Sequence, residues 1–304
     1  MYHFHPDKQT ATLSRPSGRH SDCVRCCAVS ARHAGGFTLV ELLMAMTISA
    51  ILIMALAGIV TATQSAWKHT QGIEDSQAEI TASFERMKMM ISQAGVYQLD
   101  GQAPQVGLAV VTRPWNYIDV PDILVVWSGG RNGGISQSGV LNRLPLMNEL
   151  LIYTSDPADS HQFVEIALPD STAEIDFNGS SFNSTIRSAI ESNQAEKALL
   201  SKRLKNSQYL LSGSPWGPAA ANIIFQITRT PDDASLQTIA PGTSGWMNLP
   251  WPQGTVSATS GLRQVTVSYE IQFETAEQTE FTDINSATAL PFFGSSSRLY
   301  AYTP

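Results

Sequence analysis

The hydrophobic positions of this chain fall into three regimes. Over residues 42–60 no charged residue occurs, and Leu, Ile, Met, Val and Ala dominate. That run is about long enough to cross a hydrocarbon core as a helix. After Gln64 the pattern becomes one-sided. Ile73, Ile80, Phe84, Met87 and Ile91 recur at spacings of seven, four, three and four, while Glu74, Asp75, Gln77, Glu79, Glu85, Arg86 and Lys88 largely fill the other faces. This predicts an amphipathic helix continuing the apolar one, with Gly95 as the expected C-cap. A continuous helix over residues 37–95 would measure roughly 90 Å at 1.5 Å per residue. Gly58 and Gly72 are its candidate weak points, since Gly lowers helix stability by about 1 kcal/mol against Ala. At Gly58 a small residue for close helix packing accounts for the choice equally well. The heptads are too few and irregular to indicate a coiled-coil stalk.

From about residue 104 the third regime begins, with short β-prone runs. Strands are expected over residues 106–111, over the continuous apolar run Ile123, Leu124, Val125, Val126 and Trp127, and over residues 150–153 and 163–168. Residues 184–205 read as a surface helix, because Ile186, Ile190, Leu199, Leu200 and Leu204 interleave with Glu191, Glu196, Lys197, Lys202 and Arg203. Strands resume at residues 223–227. Residues 231–261, rich in Pro, Gly, Ser and Thr, read as a long loop. Residues 265–273 alternate almost strictly and predict the best half-buried strand of the chain. Residues 290–304 are aromatic without a clear period. The fold class expected is α+β: a long N-terminal helix, its distal half packed on a mostly antiparallel sheet.

Charge and cysteine usage add direction. The chain has 304 residues and a net charge of −7. Its first 36 residues carry Lys8, Arg15, Arg19, Arg25 and Arg32 against Asp7 and Asp22, a local charge of +3, so the remainder stands at −10. A basic segment ahead of an apolar run predicts a cytoplasmic N-terminus and an exported body. The acidic body argues against nucleic acid as the main partner. Cys23, Cys26 and Cys27 are the only cysteines and all precede residue 36, so no disulfide is expected in the body.

Glu41 is the one carboxylate inside the start of the apolar run. A charge there costs several kcal/mol unless it is paired, so it is a functional candidate by default. Gly36, Phe37, Thr38, Leu39, Val40 and Glu41 resemble the prepilin cleavage site of type IV pilins and type II secretion pseudopilins. The resemblance covers about ten residues, or about twenty-five with the apolar run. It implies that a prepilin peptidase cuts after Gly36 and that Phe37 becomes the N-methylated first residue. It further implies that Glu41 sets the register between helices by pairing with the Phe37 amine of a neighbouring subunit. Opposite charges attract more strongly as water is excluded. The domains expected are a cleaved leader over residues 1–36, a membrane helix over 37–60, an amphipathic extension over 61–98 and a periplasmic body over 99–304.

The body offers weaker chemistry. Asp156, Asp159 and His161 share a turn-rich stretch whose simplest reading is a solvated loop, not a metal site or triad. The glycine-rich residues 128–134 lack the Gly-Lys-Ser/Thr ending of a phosphate loop. Asn178 and Asn183 begin glycosylation sequons, a weak signal. Of Trp115, Trp127, Trp216, Trp246 and Trp251, Trp127 reads as core, while Trp246 and Trp251 are the candidates for partner contact. No cofactor, metal or catalytic set is expected. The resemblance implies a structural subunit, most similar to a J-type minor pseudopilin or a W-type minor pilin. Its implied partners are the prepilin peptidase, other pilins or pseudopilins and the membrane. Glu41 argues against the K-type tip subunit, which generally lacks that glutamate. A type IV pilus minor subunit for adhesion or DNA uptake is the alternative, and a membrane-anchored periplasmic binding module or enzyme is the competing class.

Overall fold

The computed structural model describes residues 38–115, 118–131, 135, 139–207, 220–274 and 289–304. In chain order these form the helix α1 (Leu39–Ser92) and the strands β1 (Val96–Tyr97), β2 (Gln105–Val106), β3 (Leu108–Trp115), β4 (Ile118–Trp127), β5 (Val140–Leu141), β6 (Leu150–Ser155) and β7 (Phe163–Ala167). Helix α2 (Phe182–Ile190) and strands β8 (Glu196–Ser201), β9 (Asn206–Ser207), β10 (Ala220–Ala221) and β11 (Ile223–Thr230) follow. The short helices α3 (Asp233–Thr238) and α4 (Ser244–Met247) lead to β12 (Gly261–Glu274) and β13 (Ala289–Tyr302). The class is α+β. By Cα proximity the chain divides into Met1–Ile59 and Val60–Pro304.

Within Val60–Pro304 the main sheet has the order β3-β4-β6-β7-β8 and is antiparallel throughout. A second antiparallel sheet has the order β11-β12-β13. The parallel pairing of β1 with β5 is a minor departure.

Residue parity explains the continuous apolar run in β4. Leu124 and Val126 join the cluster containing Ile80, Phe84, Met87 and Ile91 of α1. Ile123, Val125 and Trp127 join the opposite cluster with Phe182, Ile186 and Ile190 of α2. A strand covered on both faces has no polar side, so its period-2 signal disappears. In β12 only one face is covered, and buried and half-buried positions alternate as predicted.

The expected inward face of α1 is present. Ile80, Phe84, Met87 and Ile91 are buried, joined by Met90, while Ile73 is half-buried. Phe84 stacks on Tyr269 of β12 with centroids 5.0 Å apart. Polar contacts also hold the helix on the main sheet, the Ser83 hydroxyl donating to the Leu200 carbonyl at 3.0 Å. Arg86 donates from Nε and Nη2 to the two oxygens of Glu165 at 2.6 and 2.7 Å, and the Tyr153 hydroxyl donates to the same carboxylate at 2.9 Å. Glu165 is only 1% exposed, so this bidentate pairing is what makes its burial tolerable.

Four expectations are corrected. Gly95 is not a left-handed C-cap, because α1 ends at Ser92 and Gly95 is absent from the positive-φ residues. It is glycine because a Cβ there would overlap Trp127 and Ile135, and its N–H donates to the Trp127 carbonyl at 2.8 Å. The helix expected over residues 184–205 stops at Ile190, and Glu196–Ser201 instead pairs with β7 as an edge strand. Leu199 is substantially exposed there, so an edge strand with an apolar residue outward imitated helical spacing. Residues 231–261 are not simply a loop, because Asp232 and Thr243 cap α3 and α4 by accepting from the Ser235 and Trp246 amides. The C-terminal segment, which showed no clear period, is strand over Ala289–Tyr302 and pairs along that length with β12. Neither Gly58 nor Gly72 interrupts α1.

Candidate functional site

The first turn of α1 is closed by its own side chains. Thr38 precedes the helix and Glu41 is its third residue. The Thr38 amide and hydroxyl both donate to Glu41 Oε2 at 3.0 Å, and the Glu41 amide donates to Thr38 Oγ1 at 3.3 Å. This is a reciprocal capping box, which satisfies amides that have no acceptor within the helix. A carboxylate in the first turn also sits favourably at the positive end of the helix dipole. Glu41 Oε1 has no hydrogen-bond partner among the described residues. The carboxylate therefore holds its own helix with one oxygen and leaves the other available.

Beyond the cap the helix is apolar on every side. Leu39–Lys68 includes an 18-residue window of mean hydropathy 2.5, none of it buried. Leu39, Leu43, Met46, Leu52, Met54 and Ile59 are all exposed by half or more. A helix apolar all round requires lipid or other helices as its surroundings. The Thr47 hydroxyl donates to the Met44 carbonyl at 2.9 Å, so it adds no unmet polar group.

Of the residues singled out in the sequence, Glu41 takes its place in this first turn, whereas Gly36 and Phe37 lie outside the described residues. Thr38 was missed, although Thr-x-x-Glu ahead of an apolar run is the sequence signature of a capping box.

Trp246 and Trp251 are not presented to a partner. Trp246 is fully buried and Trp251 nearly so. Their rings lie 4.8 Å apart and both pack near Tyr302. Trp246 Nε1 donates to the Ser257 carbonyl at 2.9 Å and Trp251 Nε1 to the Trp246 carbonyl at 2.8 Å. The stretch read as a loop folds over and supplies core, and each indole N–H finds an internal acceptor. Trp127 is core as expected. Trp216 lies outside the described residues.

The other candidates hold turns together. Asp159 Oδ1 accepts from the His161 amide at 3.1 Å, and Asp156 Oδ1 accepts from the Ala158 amide and pairs with Lys197 at 2.6 Å. The amides of Ser128, Gly129 and Gly130 converge on the Glu149 carbonyl at 3.3, 3.0 and 2.9 Å. Those amides are spent on the fold and are not aimed at a phosphate.

A family model described as the prokaryotic N-terminal methylation motif matches residues 31–57. No curated protein and no solved structure matches the chain. That motif leads into the one helix among the described residues that is long and apolar enough to cross a membrane, ahead of a mostly antiparallel body, and in these features the chain is similar to type IV prepilins and pseudopilins.

Proposed function

We propose that the chain is a minor pseudopilin, a structural subunit of a type II secretion pseudopilus, and not an enzyme. The observation that carries this is the methylation motif at residues 31–57 running directly into a wholly exposed apolar helix whose first turn holds Glu41. In this reading the prepilin peptidase cuts after Gly36 and Phe37 is N-methylated. The chain waits in the inner membrane with its body in the periplasm, then enters a filament through α1. Glu41 Oε1 receives the Phe37 amine of a neighbouring subunit, while Oε2 keeps capping its own helix. The large body suits a minor subunit near the tip, of the J or W type, more than a repeating major one.

The test compares wild type, a deletion and Glu41→Ala in cells. Loss of exoprotein secretion with surface pili intact supports the pseudopilin. Loss of pili with secretion intact moves the chain to a type IV pilus. If Glu41→Ala supports secretion and piliation like wild type, the filament role fails and an anchored periplasmic module or enzyme takes its place.

A further inference from the structure

Arg263 occupies an unusual place in β12. The inward positions Val265, Val267, Tyr269, Ile271 and Phe273 are apolar and buried, and Arg263 extends the same row while only 4% exposed. Its Nε donates to the Pro231 carbonyl at 3.0 Å, Nη1 to the Tyr300 hydroxyl at 3.3 Å and Nη2 to Asp233 Oδ1 at 2.6 Å. The guanidinium also lies over the Tyr302 ring, 5.3 Å from its centroid. A guanidinium has five N–H donors, so two on this buried group meet no acceptor among the described residues. A buried donor left unmet is costly.

These groups line a cavity of about 420 Å³ between β12, β13, α3 and residues 103–109, a size typical of small-ligand sites. Its one carboxylate and one of its side-chain amide oxygens are already taken. Asp233 is shared between Arg263 and Arg229, the latter at 3.0 Å through Oδ2. Gln105 Oε1 accepts from both the Tyr97 hydroxyl and Asn178 Nδ2. Donors remain: the spare N–H groups of Arg263 and Arg229, and the amide nitrogens of Gln105 and Gln237. Two arginines against one aspartate leave the wall at +1 in a chain of net charge −7. Leu108, Leu236 and the tyrosine rings supply an apolar side.

We propose that this cavity binds a small organic carboxylate, its oxygens received by Arg263 and Arg229 and its carbon skeleton resting against Tyr302 and Leu236. A carboxylate matches the planar donor fork of arginine and supplies acceptors for the arginine N–H groups left unmet. The site is independent of the assembly role, so its failure would leave that role untouched.

The full chain, purified in non-ionic detergent, is titrated by calorimetry with phenylacetate, succinate, phenylacetamide and inorganic phosphate. At least one carboxylate is expected to bind saturably below about 1 mM, with phenylacetamide at least about tenfold weaker. Arg263→Met removes binding, but it alters a buried residue and can unfold the sheet. Arg229→Gln, on a half-exposed side chain, is the second variant. It is expected to weaken binding about tenfold with the ligand-free melting temperature unchanged. No saturable response to either carboxylate up to about 10 mM, equal binding of phenylacetamide, binding of phosphate alone, or affinity untouched by Arg229→Gln would each overturn the assignment.

Discussion

Leu52 and Met87 belong to the same helix, yet Leu52 is 58% exposed and Met87 is fully buried. The difference lies in the residues around them. Near Leu52 every side of the helix is apolar, so no rotation of it could present a polar face to water. Near Met87 the apolar residues form one stripe, and Glu79, Glu85 and Lys88 face outward. The first stretch needs surroundings that the chain does not itself provide, whereas the second is completed by the chain's own sheets. The same hydrophobic effect thus serves membrane insertion and assembly at one end and folding of the body at the other.

Truncating both ends gives the sharpest contrast. Phe84→Ala removes a ring packed on Tyr269, Phe273 and Phe292 and is expected to cost the body about 3–5 kcal/mol, seen as a large fall in its melting temperature. Leu52→Ala should leave that melting temperature unchanged. Equal effects would erase the distinction between the two halves.

Next in size is Arg86→Ala. It leaves Glu165 buried with the Tyr153 hydroxyl and with Arg131 no nearer than 3.9 Å. A loss of about 3 kcal/mol is expected by denaturant titration.

Asp122 supplies a smaller, pH-dependent effect. Burial pushes its carboxyl up to about 6 from 3.8, against the opposing pull of Arg113 and Arg187. Its Oδ1 has no hydrogen-bond partner among the described residues. Between about pH 4 and 6 the folded chain keeps a proton that the unfolded chain has released, so this group lowers stability as pH rises through that window. Asp122→Asn should flatten this slope and raise stability at neutral pH by about 1–2 kcal/mol, offset in part by the lost pairing with Arg113 at 3.3 Å. Melts at pH 4 and pH 7 check it. A wild-type stability that rises across that window, with Asp122→Asn abolishing the rise, would reverse the sign.

The smallest effect is expected at the cap. Thr38→Ala removes one half of the capping box and should cost the first turn about 1 kcal/mol. Hydrogen exchange of the amides at residues 39–41 in micelles would be faster, with exchange across β12 unaltered.

The sequence made the long helix legible because its two regimes have simple periods, and it made β12 legible because one face of that strand is covered. It concealed β8 and β13, whose positions at sheet edges leave apolar side chains outward without a period. Trp246 and Trp251 misled because a Pro- and Gly-rich composition reports turns but not whether the turns fold back over a core. At the candidate site Glu41 stood out by its charge. Thr38 was overlooked because a hydroxyl beside a membrane run draws attention only once its reciprocal bond to Glu41 is seen. The carboxylate-sized cavity was not legible at all. Arg229, Arg263 and Gln105 are far apart in sequence and meet only through the packing of β11 and β12 against the segment that precedes β3.

Under the proposed function the mature protein starts at an N-methylated Phe37. Intact mass and N-terminal sequencing of the membrane-extracted chain, from cells with and without prepilin peptidase, test this most directly. A chain starting at N-methylated Phe37 only where the peptidase is present is the expected result. An uncut chain in both strains, or a cut at another residue, would contradict it.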